Sequence, residues 1–258
     1  MGYQFILCEE KGHTLRVTIN RPEVMNALHS PAQQELNAIF DKFQEDPDLW
    51  IAVLTGAGEK AFSVGDDLKY RAQAGSQGVS MPKGGFGGIT RRFDCFKPII
   101  AAVNGFALGG GFETALACDI ILAAEHAVFG LPEPRVGMMP ATGAHRLPRS
   151  IPYHQAMGII LTGRRISAEE AFRLGIVNEV VASDKLLERA EGWANQILEC
   201  APLAIRACKQ AVNLGLSKSL EEALGASYTM ERMMKESEDY LEGPRAFSEK
   251  RKPIWKGR

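Results

Sequence analysis

Two glutamates and a run of three glycines are the residues whose placement in this chain could do chemistry. The stretch Pro98 to Glu113 opens as an apolar run rich in Ile, Ala and Val, turns at Asn104-Gly105, and reaches Gly109-Gly110-Gly111-Phe112-Glu113. Its first half predicts a buried strand and a turn, and its second half the start of a helix. The first N–H groups of a helix lack an intrahelical partner and stand at the positive end of its dipole. Glycine lets such a backbone come close to a ligand. The stretch could therefore hold negative charge developing on an oxygen, with the Glu113 carboxylate about one turn in. A second glycine-led segment, Ala61-Phe-Ser-Val-Gly-Asp-Asp-Leu68, offers a similar turn. Amides converging from the two segments would form an oxyanion hole. The other carboxylate is Glu133, in Leu131-Pro-Glu-Pro134. Its flanking prolines limit backbone freedom, which suits a positioned acid or base.

Each feature also has a plainer reading. Glu113 could serve only the helix dipole, an effect of about 0.3–1 kcal/mol. Glu133 could be a solvated loop residue, and the glycines could serve close packing. Other chemistries lack their residues. His13, His29, His126, His145 and His154 are isolated, none at metal-ligand spacing, so no metal is expected and each reads as a surface or loop residue. There is no Gly-x-Ser-x-Gly elbow and no Gly-x-x-x-x-Gly-Lys-Ser/Thr phosphate loop. Gly56 to Ala61 fits the loose dinucleotide pattern, but Phe62-Ser-Val-Gly65 interrupts the helix that pattern requires, so a turn is expected there.

The elements around these residues alternate strand and helix. Gln4–Glu9 and Thr14–Asn20 predict a hairpin at a sheet edge. Ser30-Pro31 with Gln33 predicts a helix start with Ser30 as N-cap, and Leu36, Ile39, Phe40 and Phe43 form its buried face. Buried strands are expected at Trp50–Thr55, Ile99–Val103, Asp119–Ala123 and Ala127–Gly130, with a helix from the glycines to about Cys118. Residues 72–88, rich in Gly, Ser and Gln, predict a mobile loop or a helix-and-loop lid. From about Ala144 the chain reads as helical, with Ser167 as an N-cap and helical periodicity over Leu186–Leu198, Leu203–Leu214 and Leu220–Met234.

The 258 residues suffice for one large core. Apolar residues at 45% and charged residues at 24% fit a soluble globular protein. Lys plus Arg (30) balances Asp plus Glu (31), which argues against nucleic acid as the main partner. Five scattered cysteines suggest reduced thiols and a cytoplasmic location. No signal peptide, myristoylation site or membrane span is expected.

The chain resembles the enoyl-CoA hydratase/isomerase (crotonase) family over almost its whole length. The likeness rests on Asn20-Arg-Pro-Glu-Val-Met-Asn-Ala-Leu28, Ala61–Leu68, Pro98–Asp119, Phe129-Gly-Leu-Pro-Glu133, Leu161-Thr-Gly-Arg-Arg165, Ala168–Val181 and Glu242–Arg251. Within the family, Gly84-Gly-Phe-Gly-Gly-Ile-Thr90 and Lys252-Pro-Ile-Trp-Lys-Gly-Arg258 resemble a branch of dehydratases whose substrate carries a quaternary ammonium. The resemblance implies an α/β fold: a crotonase-like (ClpP/crotonase) spiral of strand-strand-helix turns with a helical C-terminal region. It divides the chain into a spiral core, 1–195, carrying the thioester site, and a helical region, 196–258, for trimer contacts and cover of CoA.

By motif position, the resemblance places the thioester oxygen on the N–H groups of Asp66 and Gly110. Glu113 and Glu133 become the two glutamates of a hydratase, an enzyme that adds water to a trans-2-enoyl-CoA. CoA falls to Glu23, Val24 and Met25, to Asp66, Asp67, Leu68 and Lys69, to Gly110, and to Phe247 and Lys250 of a neighbouring subunit. Coenzyme A is part of the substrate and no separate cofactor is implied; the partner is a second copy of the chain, in trimers or hexamers. A double-bond isomerase and a non-catalytic or RNA-binding member are the alternatives. The segment 72–88 is expected to set the acyl chain, with Tyr70 and Phe86 as aromatic faces for a cationic head group. Two departures stand out. Asp66 brings a carboxylate to a position the family often gives to Ala or Gly, and the loop Pro140–Arg146 is one residue shorter than the family's usual version.

Overall fold

A computed structural model describes residues 2–74 and 80–258. The hairpin is β1 (Ile6–Lys11) and β2 (Thr14–Ile19), antiparallel, with Ile6 facing Ile19. Helix α1 (Ser30–Glu45) follows, then β3 (Ile51–Gly56), β4 (Ala61–Ser63) and α2 (Leu68–Ala74). The next units are β5 (Ile99–Val103), β6 (Phe106–Leu108) and α3 (Gly110–Ala115), then β7 (Ile120–Ala124) and β8 (Val128–Gly130). Helices α4 (Gly143–Ser150) and α5 (Tyr153–Thr162) lead to β9 (Arg165–Ser167), α6 (Ala168–Arg173) and β10 (Glu179–Val181). The chain ends in α7 (Leu186–Leu198), α8 (Pro202–Gly215), α9 (Leu220–Gly225), α10 (Thr229–Lys235) and α11 (Glu238–Ser248).

Strands of successive units go alternately to two sheets. One sheet has the order β1-β2-β3-β5-β7-β10 and the other β4-β6-β8-β9. After the β1-β2 hairpin, the pairs β3/β4, β5/β6 and β7/β8 each add one strand to each sheet, which is the spiral expected of an α/β crotonase-like fold. Side chains alternate across the long strands, as the two-residue period of a strand requires. Ile51, Val53, Ile100, Ala102, Leu122 and Ala124 face Leu186, Ala190 and Ala194 of α7, while Ala52, Leu54, Ala101, Val103, Ile121 and Ala123 face the larger core beneath α1. Burial on both faces explains why the parallel strands read as continuous apolar runs.

Several expectations need correction. The N-cap of α1 is His29, not Ser30, and it makes no side-chain cap bond; Ser30 Oγ instead accepts from Ser80 N at 3.2 Å. Helix α3 ends at Ala115, short of Cys118. The C-terminal part is not wholly helical, because β9 and β10 extend the two sheets; three residues are too few to show a period in sequence. The run Leu220–Met234 is two helices, since the backbone is extended at Ala226 and Tyr228. Of the expected loop 72–88, residues 75–79 lie outside the described residues. Gly84–Gly88 is a packed turn: Gly84 N donates to Asn37 Oδ1 at 2.9 Å, and Phe86 is buried. His29 is buried too, set edge-on to Phe5 and Tyr70.

Candidate active site

Three of the expected residues follow the ends of three neighbouring strands. β4 pairs in parallel with β6, and β6 with β8. Asp66 lies just beyond β4, Gly109-Gly110 just beyond β6, and Glu133 just beyond β8. The repeat that builds the second sheet therefore carries two backbone turns and one carboxylate to the same edge, and Glu113 joins them from the first turn of α3.

The glycines permit the close approach. Gly109 has φ +54°, in the left-handed region that favours glycine. A Cβ built on it would fall 3.1 Å from Glu133 Oε1. A Cβ on Gly65 would fall 2.8 Å from Gly110 N, so the backbone before Asp66 lies directly against the start of α3. Neither the Asp66 nor the Gly110 N–H makes a hydrogen bond among the described residues. The Asp66 carboxylate pairs with Arg71 Nε on α2, which supplies a countercharge for the extra acid at this position.

The two glutamates sit in unlike surroundings. Glu113 is buried, and its Oε1 accepts from Thr142 N and Gly143 N, each at 2.7 Å. Those N–H groups open α4, so the short loop 140–146 delivers a helix start to this carboxylate. Beside Glu113, the Phe112 ring lies 5.3 Å from that of Phe129 on β8, fixing α3 against the strand that leads to Glu133. Glu133 opens a 3-10 turn after Pro132, and its Oε2 is buried without a hydrogen bond among the described residues. Burial, with the Glu113 charge adding to it, pushes the Glu133 carboxyl up to about 7. It is neither a freely solvated loop residue nor an ordinary acid.

The expected CoA residues fall into two groups. Glu23, Val24 and Met25 form a turn tied to the Asp66–Lys69 segment: Leu28 N donates to Gly65 O at 2.8 Å, and Val64 N to Met25 O at 3.2 Å. Arg21 Nη1 binds Asp67 Oδ2 at 3.1 Å. Burial alone would raise the Asp67 pKa, but the Tyr70 N–H and Arg21 bring it below the usual carboxylate range. Glu23, Met25, Leu68 and Lys69 are exposed beside this joint. Phe247 and Lys250 form the second group; they lie at and just beyond the end of α11, with Phe247 87% exposed. No described hydrogen bond links either to the glutamate site of their own chain.

Residue-by-residue reading passed over four contributors. Asn26 is fully buried at φ +56°, accepts from Arg21 N, and donates to Ala57 O and Ala61 O at 3.0 and 2.7 Å. Asn is among the few non-glycine residues that tolerate this conformation, and that was the available signal. Arg21 and Gly143 act through partners distant in sequence. Thr142 carried no signal of its own.

The family described as Enoyl-CoA hydratase/isomerase matches residues 9–258. A carnitinyl-CoA dehydratase of Salmonella typhi is 45% identical over 254 residues, covering 96% of each chain. The crystal structure of an enoyl-CoA hydratase from Mycobacterium tuberculosis H37Rv superposes with TM-score 0.92 at 37% identity, covering 98% of this chain and 99% of that one. An enoyl-CoA hydratase from Bacillus anthracis gives 0.89 at 38%, covering 99% and 100%. With the family matched over residues 9–258 and these relatives over nearly the full length, the chain belongs to the enoyl-CoA hydratase/isomerase family.

Proposed function

We propose that this protein is an enoyl-CoA hydratase, adding water reversibly to the 2,3 double bond of a trans-2-enoyl-CoA. The observation that carries the reading is the unequal pair of carboxyls around one glycine-led helix start. Glu113 is held by two backbone donors, whereas Glu133 is desolvated and able to keep a proton near neutral pH.

The thioester oxygen accepts from the N–H groups of Asp66 and Gly110. Glu113 takes one proton of a water whose oxygen bonds to C3, and the C2–C3 π electrons move towards the thioester oxygen. The enolate collapses as C2 takes the proton of Glu133. Exchange through solvent then returns Glu113 to carboxylate and Glu133 to acid. The donors face the enolate without reorganising, so they favour the transition state over the ground state. CoA is part of the substrate, and the mechanism needs no separate cofactor. Glu23–Met25 and Asp66–Lys69 hold it on this chain, and Gly110 meets its thioester.

Phe247 and Lys250, exposed on the 196–258 region, reach the CoA of a neighbouring copy in a trimer or hexamer, with Lys250 as a point charge for phosphate. Residues 1–195 form the catalytic unit, and the cytoplasm is the proposed location. Among the described residues no helix is long and apolar enough to cross a membrane.

A second reading, dehydration of carnitinyl-CoA, is favoured by the relatives of that name. The test is a screen with crotonyl-CoA, longer enoyl-CoAs and crotonobetainyl-CoA, following loss of the enoyl-thioester absorbance. Turnover of crotonyl-CoA is expected; preference for crotonobetainyl-CoA would select the second reading, and inertness to all would sink both.

A further inference from the structure

Thr142 stands at the N-cap of α4. A threonine there ordinarily accepts a hydrogen bond from the second or third N–H of its helix. This one makes no side-chain cap bond, and its φ of −109° and ψ of −29° are helical instead of extended. Its own N–H, with that of Gly143, goes to Glu113 Oε1. The hydroxyl Oγ1 is buried and makes no hydrogen bond among the described residues. A buried hydroxyl in that condition is destabilising, because it has lost its bonds to water and gained none. A valine would fit the same space without the cost.

Two of the unpaired buried atoms belong to residues tied to Glu113. Oγ1 belongs to the residue whose N–H binds Glu113. Glu133 Oε2, the other unpaired buried oxygen at the site, belongs to a carboxyl that feels the Glu113 charge. No described hydrogen bond uses Glu113 Oε2, which leaves it able to take a proton. A water delivering one proton to Glu113 has a second O–H to place, and burial makes that second bond worth more than in bulk solvent.

We infer that Thr142 is a water-positioning residue, its Oγ1 accepting from the reacting water, or from the β-hydroxyl of the product in the reverse direction, while Glu113 takes the other proton. This rests on the hydratase reading. It assigns the short loop 140–146 two tasks: the backbone of Thr142 holds the base, and its side chain holds what the base deprotonates. Such a contact is made to the nucleophile and not to CoA, so it acts on kcat more than on KM.

The test compares Thr142→Val, Thr142→Ala and Thr142→Ser by kcat and KM for crotonyl-CoA hydration and by thermal unfolding of each free enzyme. Thr142→Val should fold with a Tm at or above wild type, because it removes an unpaired hydroxyl. Its kcat should fall about tenfold, the worth of one hydrogen bond, with KM changed less than about twofold. Thr142→Ser should recover most of the rate. Should Val fail to fold, Ala and Ser still report, with Ala expected slow and Ser fast. Wild-type kcat in Val or Ala, or a Ser variant as slow as Ala, overturns the assignment. A wild-type enzyme inert to every enoyl-CoA overturns the hydratase reading, and this inference with it.

Discussion

The ring of Phe86 lies against the backbone of Gly110: a Cβ built on that glycine would fall 2.5 Å from Phe86 Cε1. Phe86 is itself buried, in a turn pinned to α1 by the Gly84–Asn37 bond. Neither side can yield freely. Gly110→Ala should therefore displace the amide proposed to meet the thioester oxygen. Loss of one such donor costs about 10²–10³-fold in kcat in other enzymes, and a loss of that order is expected here with the fold retained. Steady-state hydration of crotonyl-CoA with a circular dichroism spectrum checks both halves. A variant within tenfold of wild type would remove Gly110 from the hole.

The raised pKa of Glu133 makes both directions depend on one proton held by the pair of glutamates. Hydration needs the protonated acid, so its kcat should fall as pH rises through about 7. Dehydration uses the same one-proton form of the pair, with the proton on Glu113, and the reaction takes up no net proton, so its kcat/KM should fall over the same range; a hydration rate that stays level through pH 7 argues against the assignment. The stability sign follows from linkage: a carboxyl raised in the folded state contributes stability fully present below its unfolded pKa and lost as pH rises through its folded pKa. Glu133→Gln should accordingly gain in Tm over wild type at pH 8, with the gap closing towards pH 5.

Glu113→Ala separates hydratase from isomerase. Water addition should collapse by about 10²-fold or more, the contribution of a positioned base. A double-bond shift that uses Glu133 alone should persist, measured as conversion of a 3-enoyl-CoA to its 2-enoyl isomer. Equal loss of both reactions would show that Glu113 shapes the site and does not merely serve the water.

Arg71 screens the carboxylate of Asp66, next to the N–H proposed for the hole. Arg71→Ala should leave a negative charge where negative charge develops in the reaction, lowering kcat roughly tenfold. Exposed pairs of this kind are worth at most about 1 kcal/mol of stability, so Tm should scarcely move. The double variant Asp66→Asn with Arg71→Ala should recover most of the loss. A double variant as slow as Arg71→Ala alone would mean that Arg71 acts some other way, for example through CoA.

By itself, the sequence determined the buried strands β3, β5 and β7, the helix start at Gly109–Glu113, the turn at Gly56–Ala61 and both carboxylates. Those features are local: apolar runs, glycines and prolines act on the residues beside them. Tertiary structure decided what lay between residues distant in the chain. It made Thr142 and Gly143 donors to Glu113, put Arg21 on Asp67 and seated Phe86 on Gly110. It also added two strands too short to carry a period. The inequality of the two glutamates belongs to that second class, because desolvation and hydrogen bonding depend on what packs around a carboxyl, and no spacing in the chain encodes it.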